Sequence, residues 1–205
     1  MQNRFSLLRR RLMLPIALGM WAAIGEAAPL AIGSPLPAFS LKNVDGHMLS
    51  GSDFDHKSVL VIVFASNHCP FVQSYENRLM NVQKDYAAKG VQILLVNSND
   101  AQQQPQENFE TMQTCARDKD FPFPYLWDSD QKLAKALGAE RTPEIFVFGK
   151  DRRLAYQGRI DDNTEEKHVR KQDLKIALDM LLAGTPEKID PNVTKAFGCT
   201  IKWKP

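Results

Sequence analysis

No Cys-x-x-Cys pair occurs in this 205-residue sequence, and there is no H-E-x-x-H, no Gly-rich phosphate loop and no internal repeat. Those absences remove the usual motif evidence for a structural zinc site, a zinc hydrolase or a nucleotide-binding fold. Charge of one sign is also missing: 26 Lys and Arg face 24 Asp and Glu with no basic stripe, so nothing argues electrostatically for a nucleic-acid partner. The longest apolar run, Leu12 to Ile24, has 13 residues, short of the roughly 20 that a spanning helix needs. Cysteine is scarce, with three residues at positions 69, 115 and 199.

That short apolar run has a basic start, Arg4, Arg9, Arg10 and Arg11, and ends in Gly25-Glu26-Ala27. The pattern is that of a secretory signal over residues 1–27, which predicts a periplasmic or secreted protein with no stable membrane span after processing. An uncleaved anchor is the competing reading, and the Arg pairs leave Sec and twin-arginine export both open. Without these residues the chain has 22 basic and 23 acidic side chains, a net of −1. Residues 28–205 suit a single domain with a C-terminal tail at 184–205. All three cysteines remain, so at least one thiol stays outside any intramolecular disulfide, in an oxidising compartment.

The chemistry gathers at Val59 to Tyr75, VLVIVFASNHCPFVQSY. The first six residues read as a strand buried on both faces. After Ala65-Ser66-Asn67-His68 comes Cys69-Pro70, and then Val72, Tyr75, Leu79, Val82 and Tyr86 keep helical spacing. This places Cys69 in the first turn of a helix, with Ser66 or Asn67 as N-cap and Pro70 where no N–H is needed. A helix N-terminus favours a thiolate over a thiol, and His68 adds to this when protonated. The bland alternative is a small buried hydrophobe.

Elsewhere, Asp45-Gly46 marks a hairpin between two short N-terminal strands, and Gly90 caps the first helix. Strands are predicted at Val91 to Val96, Tyr125 to Trp127, Ile145 to Phe148 and Leu154 to Gln157, the last two as an antiparallel pair. Ala101 to Gln106 reads as a Gln-rich loop. Helices are predicted at Asn108 to Asp118, Gln131 to Leu137, capped by Asp128 or Ser129, and Lys171 to Ala183. The fold class is α/β, a central mixed sheet flanked by helices.

On these residues the chain resembles the thioredoxin-like superfamily, specifically the exported, peroxiredoxin-like (AhpC/TSA-type redoxin) branch with an N-H-C-P-F-V site. The resemblance rests on Phe64 to Val72, Asn97-Ser98-Asn99-Asp100, Phe121 to Leu126, Thr142-Pro143, Gly158-Arg159-Ile160-Asp161-Asp162 and the Gly198-Cys199-x-Ile201-Lys202-Trp203-Lys204 ending. It implies a thioredoxin fold, a reactive thiol at Cys69, and a cis peptide at Thr142-Pro143 that faces the thiol and offers backbone hydrogen bonds to an extended substrate. Ser66 stands where related proteins often carry a second cysteine. Ser66-x-x-Cys69 is instead similar to the Thr/Ser-x-x-Cys of peroxiredoxins, whose hydroxyl helps hold peroxide, although the proline four residues before that hydroxyl is Ile62 here. Arg141 lies two residues from the position of the peroxiredoxin arginine, and a solvated loop charge is the other reading of it.

The expected function is that of a thiol peroxidase or thiol-disulfide oxidoreductase without a cofactor. Cys69 would attack a peroxide or a disulfide, and an unidentified thiol donor would restore it. The alternative is a redox-inactive binding module that lost its second cysteine at Ser66 and keeps the cis-proline groove for a partner. A metal site on His68, Cys69 and Cys199 lacks ligand spacing and is set aside. Cys115 shares a helix with Phe109, Met112 and Ala116 and is expected to be inert. That leaves Cys199 to resolve Cys69, if Ile201 and Trp203 dock the tail beside it; a passive tail is the alternative.

Overall fold

A computed structural model of the chain describes residues 29–205; the predicted export signal at 1–27 lies outside them. Asp45-Gly46 makes the predicted turn, with Gly46 at φ 93° and the Asp45 carboxylate accepting the His47 N–H. It joins β1 (Ser40–Asn43) to β2 (Met48–Ser50), which pair antiparallel. β3 (Val59–Ala65) leads into α1 (Pro70–Tyr86), and β4 (Val91–Asn97) returns parallel to β3, with Val59 opposite Val91 and Ala65 opposite Asn97. A second crossover through α2 (Phe109–Asp118) brings β5 (Tyr125–Trp127) parallel to β4. After α3 (Lys132–Leu137) and the two-residue β6 (Arg141–Thr142), the hairpin β7 (Glu144–Phe148) and β8 (Leu154–Gly158) adds antiparallel to the other side of β3. The sheet order is β2-β1-β5-β4-β3-β7-β8. α4 (Asp173–Leu182) follows, and the tail ends in β9 (Cys199–Thr200), which pairs antiparallel with β6.

The alternation of β3 explains the layering. Val59, Val61, Val63 and Ala65 point to a core shared with Val72, Tyr75, Leu79 and Val82 of α1, Met112 of α2, and Leu174, Ala177 and Leu178 of α4. Leu60, Ile62 and Phe64 point the other way, to Leu133, Ala134 and Leu137 of α3 and to Ile201 of the tail. A strand sandwiched between two helical layers has no polar face, so its sequence reads as one apolar run. The tail therefore carries a core residue, Ile201, only 3% exposed.

Three local expectations are corrected. Cys69 is itself the N-cap of α1, with extended backbone (φ −66°, ψ 118°) and Pro70 as first helical residue. Ser66 and Asn67 lie upstream and do not cap, because Pro70 presents no N–H and fixes the helix start directly after Cys69. For α3 the positional cap is Gln131, in left-handed backbone at φ 60°. The buried Asp128 nevertheless accepts the N–H groups of Leu133 and Ala134, so the predicted carboxylate serves the first turn from three residues further back. The β6–β9 ladder was not predicted, since two-residue strands carry no period.

Candidate functional site

β3 and β4 end side by side, Ala65 opposite Asn97, and their following loops open at the same edge of the sheet. In an open α/β sheet, ligands bind at the carboxyl ends of the parallel strands. Cys69 sits there, 1% exposed, over the start of α1. Its Sγ lies 3.2 Å from the carbonyl oxygen of Thr142, to which a thiol donates, and 2.8 Å from the Sγ of Cys199. Segments 130 positions apart thus bring two free thiols into contact. The Thr142-Pro143 bond is cis, as the resemblance implied, and the residue paired across from Thr142 in the β6–β9 ladder is Cys199.

Beneath this pair lies a residue that the sequence reading missed. Glu107 ends a 3-10 turn (Pro105–Glu107) between β4 and α2, and it is fully buried. Its carboxylate accepts from the Ser66 hydroxyl at 2.7 Å, the Asn67 N–H at 3.0 Å and the Asn97 side-chain amide at 2.6 Å, and it pairs with Nδ1 of His68. Ser66 Oγ in turn accepts the Cys69 N–H at 3.2 Å. The Asn67 amide oxygen accepts from Tyr125, whose hydroxyl is held far above the usual phenol range by burial and then by the charge of Glu107. A buried carboxylate must find donors to offset its lost hydration. Three of its four partners, Ser66, Asn67 and His68, belong to the loop before Cys69 and the fourth, Asn97, ends β4, so Glu107 ties that loop to the neighbouring strand. Only its place in a loop following a strand that opens at this edge hinted at it.

The other sequence candidates occupy defined places. His68 carries its ring half-exposed at the mouth, with Nδ1 engaged by Glu107. The one hydroxyl proton of Ser66 goes to Glu107. Arg141 turns its guanidinium to the tail, donating to the Gly198 carbonyl at 3.1 Å, and its N–H donates to the Glu144 carboxylate. Cys115 is half-buried on α2, and burial raises its thiol above the ordinary range. No cluster of three or more His, Cys, Asp or Glu suited to a metal ion occurs among the described residues.

The Cys199 thiol is pushed up to about 11, first by burial, then by its hydrogen bond with Cys69 and the charge developing there. A raised thiol value means that the folded state holds the proton more tightly than the unfolded chain. Its contribution to stability is intact below the ordinary value of 9.0 and is lost as pH rises through about 11. In a Cys115→Ser background, Cys69→Ser should bring the Cys199 titration part of the way back towards 9.0, burial being left in place. Ultraviolet thiolate absorbance measures this, and an unmoved midpoint would show that the two sulfurs do not interact.

Three solved structures place the fold among known proteins. A hypothetical protein from Sinorhizobium meliloti is 34% identical, with a TM-score of 0.80 over 86% of this chain and 97% of that one. An uncharacterized conserved protein from Geobacillus kaustophilus is 38% identical, with a TM-score of 0.80 over 85% of this chain and 93% of that one. A peroxidoxin from Mycobacterium tuberculosis shares the fold at 19% identity, with a TM-score of 0.53 over 77% of this chain and 97% of that one. Comparison with curated proteins returns no match. The thioredoxin-like architecture agrees with a match of residues 31–174 to the Redoxin family model, and the protein belongs to the Redoxin family.

Proposed function

We propose that this protein is a two-cysteine thiol oxidoreductase of peroxidase type, in which Cys69 is the nucleophile and Cys199 resolves it. Family membership supports the general thiol redox reading. The observation that carries the finer one is the 2.8 Å contact of the two sulfurs across 130 residues.

The chemistry follows from the surroundings. Cys69 is the N-cap of α1, so a thiolate there sits at the positive end of the helix. Cys199, raised to about 11, keeps its proton and can donate it towards Cys69. Attack of the Cys69 thiolate on a hydroperoxide breaks the O–O bond and leaves a sulfenic acid, releasing water or an alcohol. The Cys199 thiol then attacks that sulfur; a disulfide forms and water departs. An external thiol donor returns both sulfurs to the reduced state by exchange. The contact between the cysteines removes the need for a partner at position 66, where serine stands. It also weighs against the binding-module alternative, because the edge beside the cis-proline is paired with the chain's own tail.

Export through residues 1–27 is part of the same reading and rests on the sequence. One experiment tests both. Peptide mapping of the exported, peroxide-treated protein without reductant should find Cys69 linked to Cys199 and an N-terminus near Ala28. Cys199→Ser should lose the link and accumulate Cys69 sulfinic acid. A Cys69–Cys115 link, or a chain still beginning at Met1, would sink the corresponding half.

A further inference from the structure

Edge strands offer unpaired N–H and C=O groups to any extended chain that approaches. The short strand before the cis-proline, Arg141–Thr142, is such an edge, and it lies against the Cys69 sulfur through the Thr142 carbonyl. In this protein it is already filled. The tail runs antiparallel to it, Thr200 opposite Arg141 and Cys199 opposite Thr142, so the tail presents a cysteine to Cys69 from the place where a bound polypeptide would present one.

A two-residue ladder is weak by itself, and this one is fastened on several sides. Ile201 is buried in the core on the α3 face of the sheet, and its N–H donates to the Glu140 carbonyl. The Lys202 N–H donates to the Asn99 side chain, and its carbonyl accepts from the Asp100 N–H and from the Gln131 amide. Gln131 also accepts the Lys204 N–H. At Gly198 the backbones are so close that a Cβ would lie 2.0 Å from the Thr142 oxygen.

What must move depends on the size of the visitor. A polypeptide disulfide needs the edge itself, and so the ladder, the Ile201 anchor and the Lys202 hydrogen bonds must all give way. A molecule of a few heavy atoms needs only the Cys69 sulfur, which the partly exposed Cys199 side chain touches, and a rotamer change of one side chain is a small, fast motion. The Thr142 hydroxyl, buried and without a partner, is a spare hydrogen-bonding group on the residue that touches Cys69.

We propose that the C-terminal strand is the specificity element of this centre: seated in the place of an extended polypeptide, it reserves Cys69 for hydroperoxide-sized oxidants and shuts out polypeptide disulfides. The inference rests on the reading of Cys69 as the redox nucleophile, and the test separates the two. The starting protein is the full chain carrying Cys115→Ser and Cys199→Ser, in which Cys69 is the one thiol and the tail remains. To it are added, separately, Gly198→Val, which the contact with Thr142 cannot accommodate, and Ile201→Ala, which removes the apolar anchor.

Each protein, checked by circular dichroism, is given hydrogen peroxide with dimedone to trap sulfenic acid, and in parallel insulin to trap a mixed disulfide. In the second reaction the Cys69 thiolate displaces one insulin sulfur, which leaves as a thiol. Undocking should raise insulin capture by about tenfold or more, as expected for a site whose open form is populated a tenth of the time or less, while sulfenic acid formation changes much less. Insulin capture unchanged in both variants, or both reactions rising together, would overturn the proposal. Absence of sulfenic acid at Cys69 in every variant would overturn the redox reading, and this inference with it.

Discussion

Glu107→Ala is expected to lower the unfolding free energy by roughly 3–5 kcal/mol, because four groups of the cysteine loop and β4 lose their acceptor at once. The Ser66 hydroxyl, Asn67 N–H, Asn97 amide and His68 ring all point at this carboxylate, which is fully buried. Each buried donor left unpaired costs about 1–3 kcal/mol. The sum is not reached, since removing a buried anion also relieves its desolvation. Glu107→Gln keeps a carbonyl acceptor and should lose about half as much. The midpoint of urea unfolding at constant slope reads both changes. A loss below about 1 kcal/mol for Glu107→Ala would show that the loop is held by other means. The same substitution frees Ser66 and Asn67, so the alkylation rate of Cys69 should change alongside stability.

Arg78→Leu is expected to cost a similar roughly 3–5 kcal/mol, by stranding a buried aspartate. Arg78 and Asp161 form an ion pair with side chains 9% and 5% exposed. The guanidinium also donates to the carbonyls of Ser74, Asn163 and Thr164, and it stacks 3.9 Å from the centre of the Tyr75 ring. Tyr75 donates its hydroxyl to the same aspartate at 3.1 Å, and burial followed by the Asp161 charge raises that phenol well above its ordinary value. These contacts bind the Gly158-to-Asp162 stretch to α1, behind the cysteine. Much of the loss comes from an uncompensated charge, so Arg78→Leu/Asp161→Asn should recover a good part of it while keeping an acceptor for Tyr75. Thermal unfolding decides between the accounts: a double variant no more stable than Arg78→Leu would assign the loss to the carbonyl contacts and the stacking.

The elements legible in the residue order are those with a local period. VLVIVFA is apolar at every position because both its faces are covered, and Val72, Tyr75, Leu79, Val82 and Tyr86 repeat at the spacing of one helix face. Gly46 and Gly90 take left-handed backbone that few other residues adopt, and both turn where expected. The position of Cys69 at the head of α1 follows from these neighbours alone.

The long-range contacts of the site lack any such signal. Glu107 directly follows the Gln-rich loop, and nothing in its local sequence marks it for burial, which follows from the fold of a segment 40 residues beyond Asn67. Cys199 belongs to a strand of two residues, too short for a period, whose partner lies across the chain at Thr142. The edge beside the cis-proline, Arg141–Thr142, pairs with the chain's own Cys199–Thr200. Local patterns record which face of an element is buried, while the meeting of distant polar and thiol groups depends on chain topology, which brings together residues whose own neighbourhoods are silent about it.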